Sequence, residues 1–218
     1  MDFKQIEQRV IAHVSNDKLL CQLLNDDQND FFEVTAKKIL GSKDKRKTIK
    51  AMVYGLNYGM GTKSLAIRLK TSEKEAEGIK NAYFELFENM AEYRESMKKT
   101  EEVHSLLGRK RKIYKNQFCR AIAVSIQSGA ADIVRITTLA AEHTMLSGGG
   151  GDFSSVKLCL QIHDELIFEL DRSELEKFSR RLERNIEKAL LKYFEPKLRL
   201  KFPVRFQVGK NWGQLKPM

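Results

Sequence analysis

The stretch 160-LQIHDELIFEL-170 sets a His-Asp-Glu triplet between two apolar runs. Apolar residues alternate with polar or small ones from Val156 to Ile162, and an apolar run resumes at Leu166. This period of two predicts two strands, joined by a tight turn at His163-Asp164-Glu165. Because an unpaired carboxylate in apolar surroundings is strongly disfavoured, the acids at the turn need exposure to water or a cation.

The composition favours a folded protein that binds polyanions. The chain has 218 residues, of which 42% are hydrophobic and 31% charged, enough for one compact fold or two closely packed subdomains. Lys and Arg number 39 against 29 Asp and Glu, so the net charge is +10. Such a surplus indicates nucleic acid first and an anionic membrane second.

The cysteines indicate the cellular compartment, and the hydropathy bears on membrane binding. Cys21, Cys119 and Cys159 are widely spaced and form no CxxC pair, which predicts a reducing, intracellular compartment. No run approaches the ~18 apolar residues that a membrane span needs, so no membrane partner is expected.

Helical patterns dominate the middle of the chain. Capping residues and apolar spacing predict helices at 16–24, 30–40, 43–56, 72–100, 117–145 and 173–193. Strands are predicted at 103–107, 156–168 and 204–208. The four glycines Gly148 to Gly151 predict a flexible loop.

The helix predicted at 43–56 carries an unusual stripe. Arg46, Lys50, Tyr54 and Tyr58 recur every four residues, so two cations are followed by two aromatic rings on one slowly drifting face. A nucleoside triphosphate has the same polarity, with phosphates at one end and a flat base at the other. A solvated basic face followed by core tyrosines is the structural alternative.

Two other clusters suggest ligands. Asp2, near the start of the chain, and Asp164 could supply carboxylates from separate segments to a pair of Mg²⁺ ions. The run 106-LLGRKRKIYK-115 places several cations directly after a predicted strand. It indicates contacts with a phosphate backbone, although a nuclear-localisation patch or a solvated loop would look the same.

Five motifs follow one another in a specific order. They are DFKQIEQRVIAH, RKTIKAMVYGLNYGMG, LLGRKR, QSGAADIV and LQIHDEL. In this order they resemble the polymerase motifs of family A DNA polymerases, most closely the theta and nu branch, and the resemblance covers nearly the whole chain. It implies an α+β protein in which helical fingers are inserted in a palm with an antiparallel β-sheet, the right-hand polymerase fold.

The resemblance implies roles for the matching positions. Asp2, the backbone carbonyl of Phe3 and Asp164 would hold two Mg²⁺ ions, and Asp2, Asp164 and Lys50 would be catalytic. The residues expected to bind the incoming deoxynucleoside triphosphate are Arg46, Lys50, Tyr54, Tyr58, Gln5 and Glu7, with Glu7 as the steric gate against a 2′-hydroxyl. The residues expected to contact the DNA primer-template are Arg109, Arg111, Gln127, His163 and Glu165.

The implied domains are a first part of the palm at 1–15, the fingers at 16–102 and a second part of the palm at 103–218. No thumb matches any part of the sequence. The resemblance therefore predicts that the chain is a piece of a longer protein whose thumb and N-terminal domains are its partners. The implied location is intracellular, in the nucleus if the source is a eukaryote, and DNA repair is an expected role.

Two other functions stay open at this point. A nucleic-acid-binding fragment with weak catalysis or none would carry the same basic and aromatic residues. The His163-Asp164 pair also suggests an HD-type metal phosphohydrolase, but that class needs further His and Asp ligands on helices. The only other histidines are His13, His104 and His143.

Overall fold

The computed structural model describes residues 1–146, 153, 155–194 and 198–218. The predicted loop at Gly148 to Gly151 lies outside these described residues. The chain divides into two compact units. We call residues 1–8 and 129–218 the sheet unit, and residues 9–128 the helical unit.

The sheet unit contains a four-stranded antiparallel sheet in the order β4-β5-β1-β6. Its strands are β1 (Asp2–Phe3), β4 (Lys157–Ile162), β5 (Glu165–Glu169) and β6 (Val204–Arg205). The two sequence segments of the unit therefore meet in one sheet, because β1 lies between β5 and β6. The predicted hairpin is confirmed, with Ile162 opposite Glu165 across the turn.

Helix α9 (Leu175–Phe194) supplies the apolar core of the sheet unit. Its buried residues recur every four positions and thus form one apolar face: Phe178, Leu182, Ile186 and Leu190. The ring of Phe178 lies 5.2 Å from that of Phe168 on β5, which fixes the helix against the sheet. A small hairpin of β7 (Gln207–Val208) and β8 (Lys216–Pro217) completes the unit.

The helical unit is built from short helices. They are most of α1 (Ile6–Ser15), α2 (Lys18–Asn25), α3 (Phe31–Leu40), α4 (Arg46–Asn57), α5 (Thr62–Leu69), α6 (Glu73–Leu86), α7 (Glu88–Ser96) and the first part of α8 (Phe118–Leu146). A hairpin of β2 (Glu102–His104) and β3 (Lys110–Lys112) precedes α8. No helix among the described residues is long and apolar enough to cross a bilayer.

Capping explains where several helices begin and end. Asp30 accepts a hydrogen bond from Glu33 N at 3.0 Å to start α3, and Gly41 ends it with a left-handed φ of 73°. Ser72 starts α6 by accepting from Glu75 N at 3.2 Å, as its capping pattern predicts.

The sequence predicts one helix from residue 72 to about residue 100, and this prediction is wrong. Phe87 leaves the helical conformation, with φ −123° and ψ 69°, and separates α6 from α7. Its side chain is fully buried, and its ring lies 5.2 Å from that of Tyr83. Burial of the ring accompanies a break that local helix propensity does not reveal. The sequence also fails to predict α1 and α5.

Candidate functional site

The sheet brings three acidic residues together. Asp2 on β1 lies opposite Glu165 on β5, and Asp164 precedes Glu165 in the hairpin turn. Directly opposed residues of antiparallel strands project their side chains from the same face. All three acids are half-buried. Residues more than 160 positions apart in the sequence therefore form one acidic group.

The electrostatics of this group suit a cation. Burial raises the pKa of Asp2, and the negative charges of Asp164 and Glu165 raise it further, whereas Arg205 lowers it. A raised carboxyl pKa means that the negative charge is disfavoured in this surrounding, and a bound divalent ion would offset that cost.

The donor chemistry fits Mg²⁺, which prefers oxygen ligands and commonly binds through one or two carboxylates plus substrate phosphates. Among the described residues, no group of three or more His, Cys, Asp or Glu side chains is arranged to hold a metal. An ion held by Asp2 and Asp164 would therefore complete its shell with water, backbone oxygen or a bound phosphate. The side chain of Phe3 is buried, and its carbonyl remains a predicted ligand.

Two predicted site residues adopt strained backbone conformations. His163 has φ 53° in the hairpin turn, and Gln5 has φ 54° between β1 and α1. Tight two-residue hairpins need a positive φ at the first central position, which Gly or Asn normally supplies. Left-handed residues other than Gly cost about 1–3 kcal/mol and concentrate at functional sites. The strain therefore supports a functional reason for both residues.

We predict that His163→Gly stabilises the protein by about 0.5–1 kcal/mol. The relief of about 1–2 kcal/mol of left-handed strain exceeds the 0.5–1 kcal/mol that the entropy of Gly costs. Thermal unfolding should show a rise of about 1–4 °C. His163→Ala is the control, because it removes the imidazole and keeps the strain. Equal destabilisation by both changes would contradict the prediction.

The predicted stripe lies on α4 in the helical unit. Ile49, Met52, Val53 and Leu56 are fully buried on the opposite face, so the stripe faces outward from this core. Lys50 is exposed, whereas Arg46, Tyr54 and Tyr58 are half-buried. The stripe has features of both interpretations, a nucleotide-binding face and a solvated basic face followed by core tyrosines. Its cations are accessible, and its tyrosines are partly packed.

The ring of Phe32 on α3 contacts three residues of the stripe. The Cζ atom of Arg46 lies 5.5 Å, and the Nζ atom of Lys50 5.8 Å, from the centre of its ring. The ring of Tyr54 lies 6.1 Å from the same ring. Cations over an aromatic face are attracted by its quadrupole, so one buried ring orients three stripe residues.

Arg46 also forms an ion pair with Asp30. Its Nε atom donates to Oδ1 at 3.0 Å and its Nη2 atom donates to Oδ2 at 2.7 Å. Burial alone would raise the pKa of Asp30, but hydrogen bonds from Arg46 and from the Glu33 and Phe32 N–H groups bring it below the usual value. The hydrogen bond to Asp30 in turn raises the pKa of Arg46.

Gly55, within the stripe, and Gly59, directly after it, lie close to other protein atoms. A Cβ atom at Gly59 would lie 2.6 Å from Sγ of Cys119, and one at Gly55 would overlap the end of the Met60 side chain. Gly59 also has φ 92°, which other residues rarely adopt. Gly59 is thus explained by its backbone conformation and by its close approach to Cys119.

The basic cluster lies on a hairpin rather than on a loop. Residues 109–112 are all exposed, and Arg111 on β3 lies opposite the buried Val103 on β2. Glu102 accepts a hydrogen bond from His104 at 2.6 Å and forms an ion pair with Lys110 at 3.4 Å. Nη2 of Arg109 donates to Ser128 O at 3.4 Å. The hairpin therefore presents Arg109 in its turn and residues 110–112 on β3.

The remaining predicted residues are accessible to a ligand. Glu7 is half-buried in the first turn of α1, and Gln127 is exposed on α8. His163 is exposed at the turn. Their predicted contacts with nucleotide or DNA stay predictions.

Sequence reasoning missed three residues that contact the candidate site groups. Asp30 was predicted only as a helix start, and no role was predicted for Phe32. Arg205 lies opposite Asp2 on β6 and lowers its pKa. A basic residue in a predicted strand was the only available signal for Arg205, because the register of that strand is a tertiary property.

The chain is similar to known proteins over almost its whole length. The family model for DNA polymerase family A matches residues 1–214. The chain is 31% identical to DNA polymerase theta of Drosophila melanogaster, over 99% of this chain and 11% of that protein. It is 32% identical to DNA polymerase I of Helicobacter pylori, over 99% of this chain and 25% of that protein. The chain thus spans a quarter or less of the length of these relatives.

A solved structure matches the fold. The POL domain of Pol1 from M. smegmatis, in complex with DNA primer-template and dNTP, has a TM-score of 0.76 and 28% sequence identity. The match covers 86% of this chain and 36% of that one. The predicted α+β class with an antiparallel sheet is confirmed. Because the family model spans almost every residue, the chain belongs to DNA polymerase family A.

Proposed function

We propose that the chain is a DNA-directed DNA polymerase domain that adds deoxynucleotides to the 3′ end of a primer. The observation that carries this proposal is the pairing of β1 with β5, which brings Asp2 beside Asp164 and Glu165. Membership of the family supports the reaction class, and the bound DNA and dNTP of the matched Pol1 domain support the substrates.

The proposal assigns the palm to the sheet unit and the fingers to the helical unit. The units divide after residues 8 and 128, whereas the sequence places the changes at residues 15 and 102. The division after residue 8 lies within α1 and the division after residue 128 lies within α8, whereas residue 102 is the first residue of β2. The contribution of a thumb and of N-terminal domains, like the role in DNA repair, stays a prediction.

Asp2, Asp164 and the carbonyl of Phe3 would hold two Mg²⁺ ions. When bound, such ions lower the pKa of the primer 3′-hydroxyl and neutralise charge on the phosphates. Arg46 and Lys50 bind the triphosphate through charge-assisted hydrogen bonds, Tyr54 and Tyr58 pack against the nucleotide and template, and Glu7 with Gln5 lies beside the sugar.

The proposal also covers the contacts with DNA. Arg109 and Arg111 on the exposed hairpin contact the phosphate backbone, which supplies affinity that is independent of sequence and falls with salt. Gln127 contacts the minor groove, and His163 with Glu165 contacts the primer end. The HD phosphohydrolase alternative is not supported, because His163-Asp164 lies in a hairpin turn and the described residues offer no larger metal-binding group.

The test is primer extension by the full 218-residue chain in the presence and absence of Mg²⁺. We expect template-directed extension that requires the metal. Specific binding of primer-template without extension at any Mg²⁺ concentration would instead identify a nucleic-acid-binding fragment.

Metal binding can be measured independently of catalysis. At a tenfold excess of Mg²⁺ over its Kd, we expect stabilisation of about 1.4 kcal/mol, which raises the Tm by about 3–6 °C. NaCl at matched ionic strength controls for screening, and Asp164→Asn should remove most of the shift. An equal shift in that variant would place the metal elsewhere.

A further inference from the structure

We propose that Asp30 is a positioning residue for the incoming nucleotide, acting through Arg46. This inference rests on the proposed function of the α4 stripe and adds a residue outside it. Asp30 is on α3 and the stripe is on α4, and both lie in the helical unit.

The ion pair fixes one edge of the Arg46 guanidinium. Asp30 accepts from Nε at 3.0 Å and from Nη2 at 2.7 Å, a two-point contact that determines the plane as well as the position of the group. The Phe32 ring, 5.5 Å from Cζ, limits movement on one face. A long side chain that would otherwise sample many rotamers is therefore held in one orientation.

Asp30 is itself held in place. The same Oδ1 atom that accepts from Arg46 also accepts from Glu33 N at 3.0 Å and caps α3. The carboxylate is therefore fixed to the backbone of one helix and to the side chain of the next. Two constraints on one small side chain make it a rigid support.

The geometry leaves donors for a phosphate. Asp30 engages Nε and Nη2, so Nη1 is the amino group that it does not engage. Guanidinium has five N–H donors, and a carboxylate on the Nε edge lies on the opposite side from Nη1. The guanidinium of Arg46 would thus lie between the carboxylate of Asp30 and the phosphate. The arginine side chain is 39% exposed, which leaves it accessible.

Lys50 makes the orientation of Arg46 important. Both cations lie over the Phe32 ring, at 5.5 Å and 5.8 Å from its centre. Two like charges above one ring repel each other, and the carboxylate of Asp30 offsets this repulsion from the side of Arg46. A triphosphate would then meet two cations that are already arranged, and less ordering entropy would be lost on binding.

The experiment separates the charge of Asp30 from its role as a cap. Asp30→Asn keeps a good N-cap and loses the charge, whereas Asp30→Glu keeps a carboxylate and is a poor cap. We measure equilibrium binding of dATP and of tripolyphosphate to the full chain, KM and kcat for dATP in primer extension, and Tm. For Asp30→Asn we expect the Kd for nucleotide and the KM to rise about fivefold, with kcat changed less than twofold.

The Asp30→Glu variant should bind dATP and tripolyphosphate more tightly than the Asp30→Asn variant, even if its Tm is lower. Arg46→Ala should weaken binding at least as much as Asp30→Asn, and the double variant should bind like Arg46→Ala alone, because the two residues act as one unit. Asp26→Asn is the matched control. Asp26 caps Gln28 N at 2.8 Å in the neighbouring exposed turn, and its replacement should leave KM unchanged.

The outcomes distinguish this inference from the proposed function. Failure of the unaltered chain to extend primers would overturn the function, whereas the binding measurements would still decide the role of Asp30. Unchanged or tighter binding in Asp30→Asn would overturn the inference, and so would affinity that follows Tm rather than charge across the variants.

Discussion

Asp164→Asn is expected to reduce primer extension by about 10³-fold, equivalent to about 4 kcal/mol of transition-state stabilisation. Asn keeps the size of the side chain but lacks the negative charge that a divalent ion needs. Asp164 lies in the hairpin turn, half-buried, where its charge raises the pKa of Asp2. Single-nucleotide addition to a labelled primer, measured at saturating dNTP and Mg²⁺, checks the loss.

The fold should survive this change. Removing one of the neighbouring negative charges relieves repulsion, so the Tm without Mg²⁺ should stay equal or rise slightly. Asp171→Asn, an exposed acid just after β5, is the matched control and should retain full activity. Retention of more than a tenth of the activity by Asp164→Asn would contradict the proposed metal site.

The second large effect is expected at Lys50. Lys50→Ala should lower kcat by about 10²-fold, because the variant loses a charge-assisted contact with the reacting phosphate. The side chain is exposed and lies over Phe32, so its truncation removes little packing. Pre-steady-state incorporation of one nucleotide separates the effect on chemistry from the effect on nucleotide affinity.

Lys47→Ala provides a matched control on the same helix. Lys47 is also exposed on α4 but lies outside the i, i+4 stripe. Its replacement should leave both kcat and KM within twofold. If the two lysine variants lost activity equally, general positive charge rather than the stripe would explain the result.

Short-range patterns account for most elements that the sequence predicts correctly. The alternation before His163 and the apolar run after it indicate a hairpin, and the structure has β4 and β5 there. Asp30 and Gly41 mark the ends of α3 because capping involves only residues a few positions apart. The order of the five motifs identifies the family, which the family model confirms.

Contacts between residues distant in the sequence account for what these patterns missed. The break at Phe87 accompanies a buried ring, and the paired contacts of Arg46 join residues that are 16 positions apart. Periodicity indicates which face of α4 is apolar, but it does not indicate which side chain of α3 lies beside that helix. Asp30 and Phe32 therefore entered the site only with the structure.

By itself, the sequence determined the secondary structure around the acidic turn, the cationic-aromatic stripe and the family. Tertiary structure alone decided that β1 inserts between β5 and β6, which places Asp2 opposite both Glu165 and Arg205. The physical reason is the distance in sequence between the residues that interact. Caps and periodicity depend on neighbours along the chain, whereas strand register across more than 160 residues depends on the packing of the whole sheet.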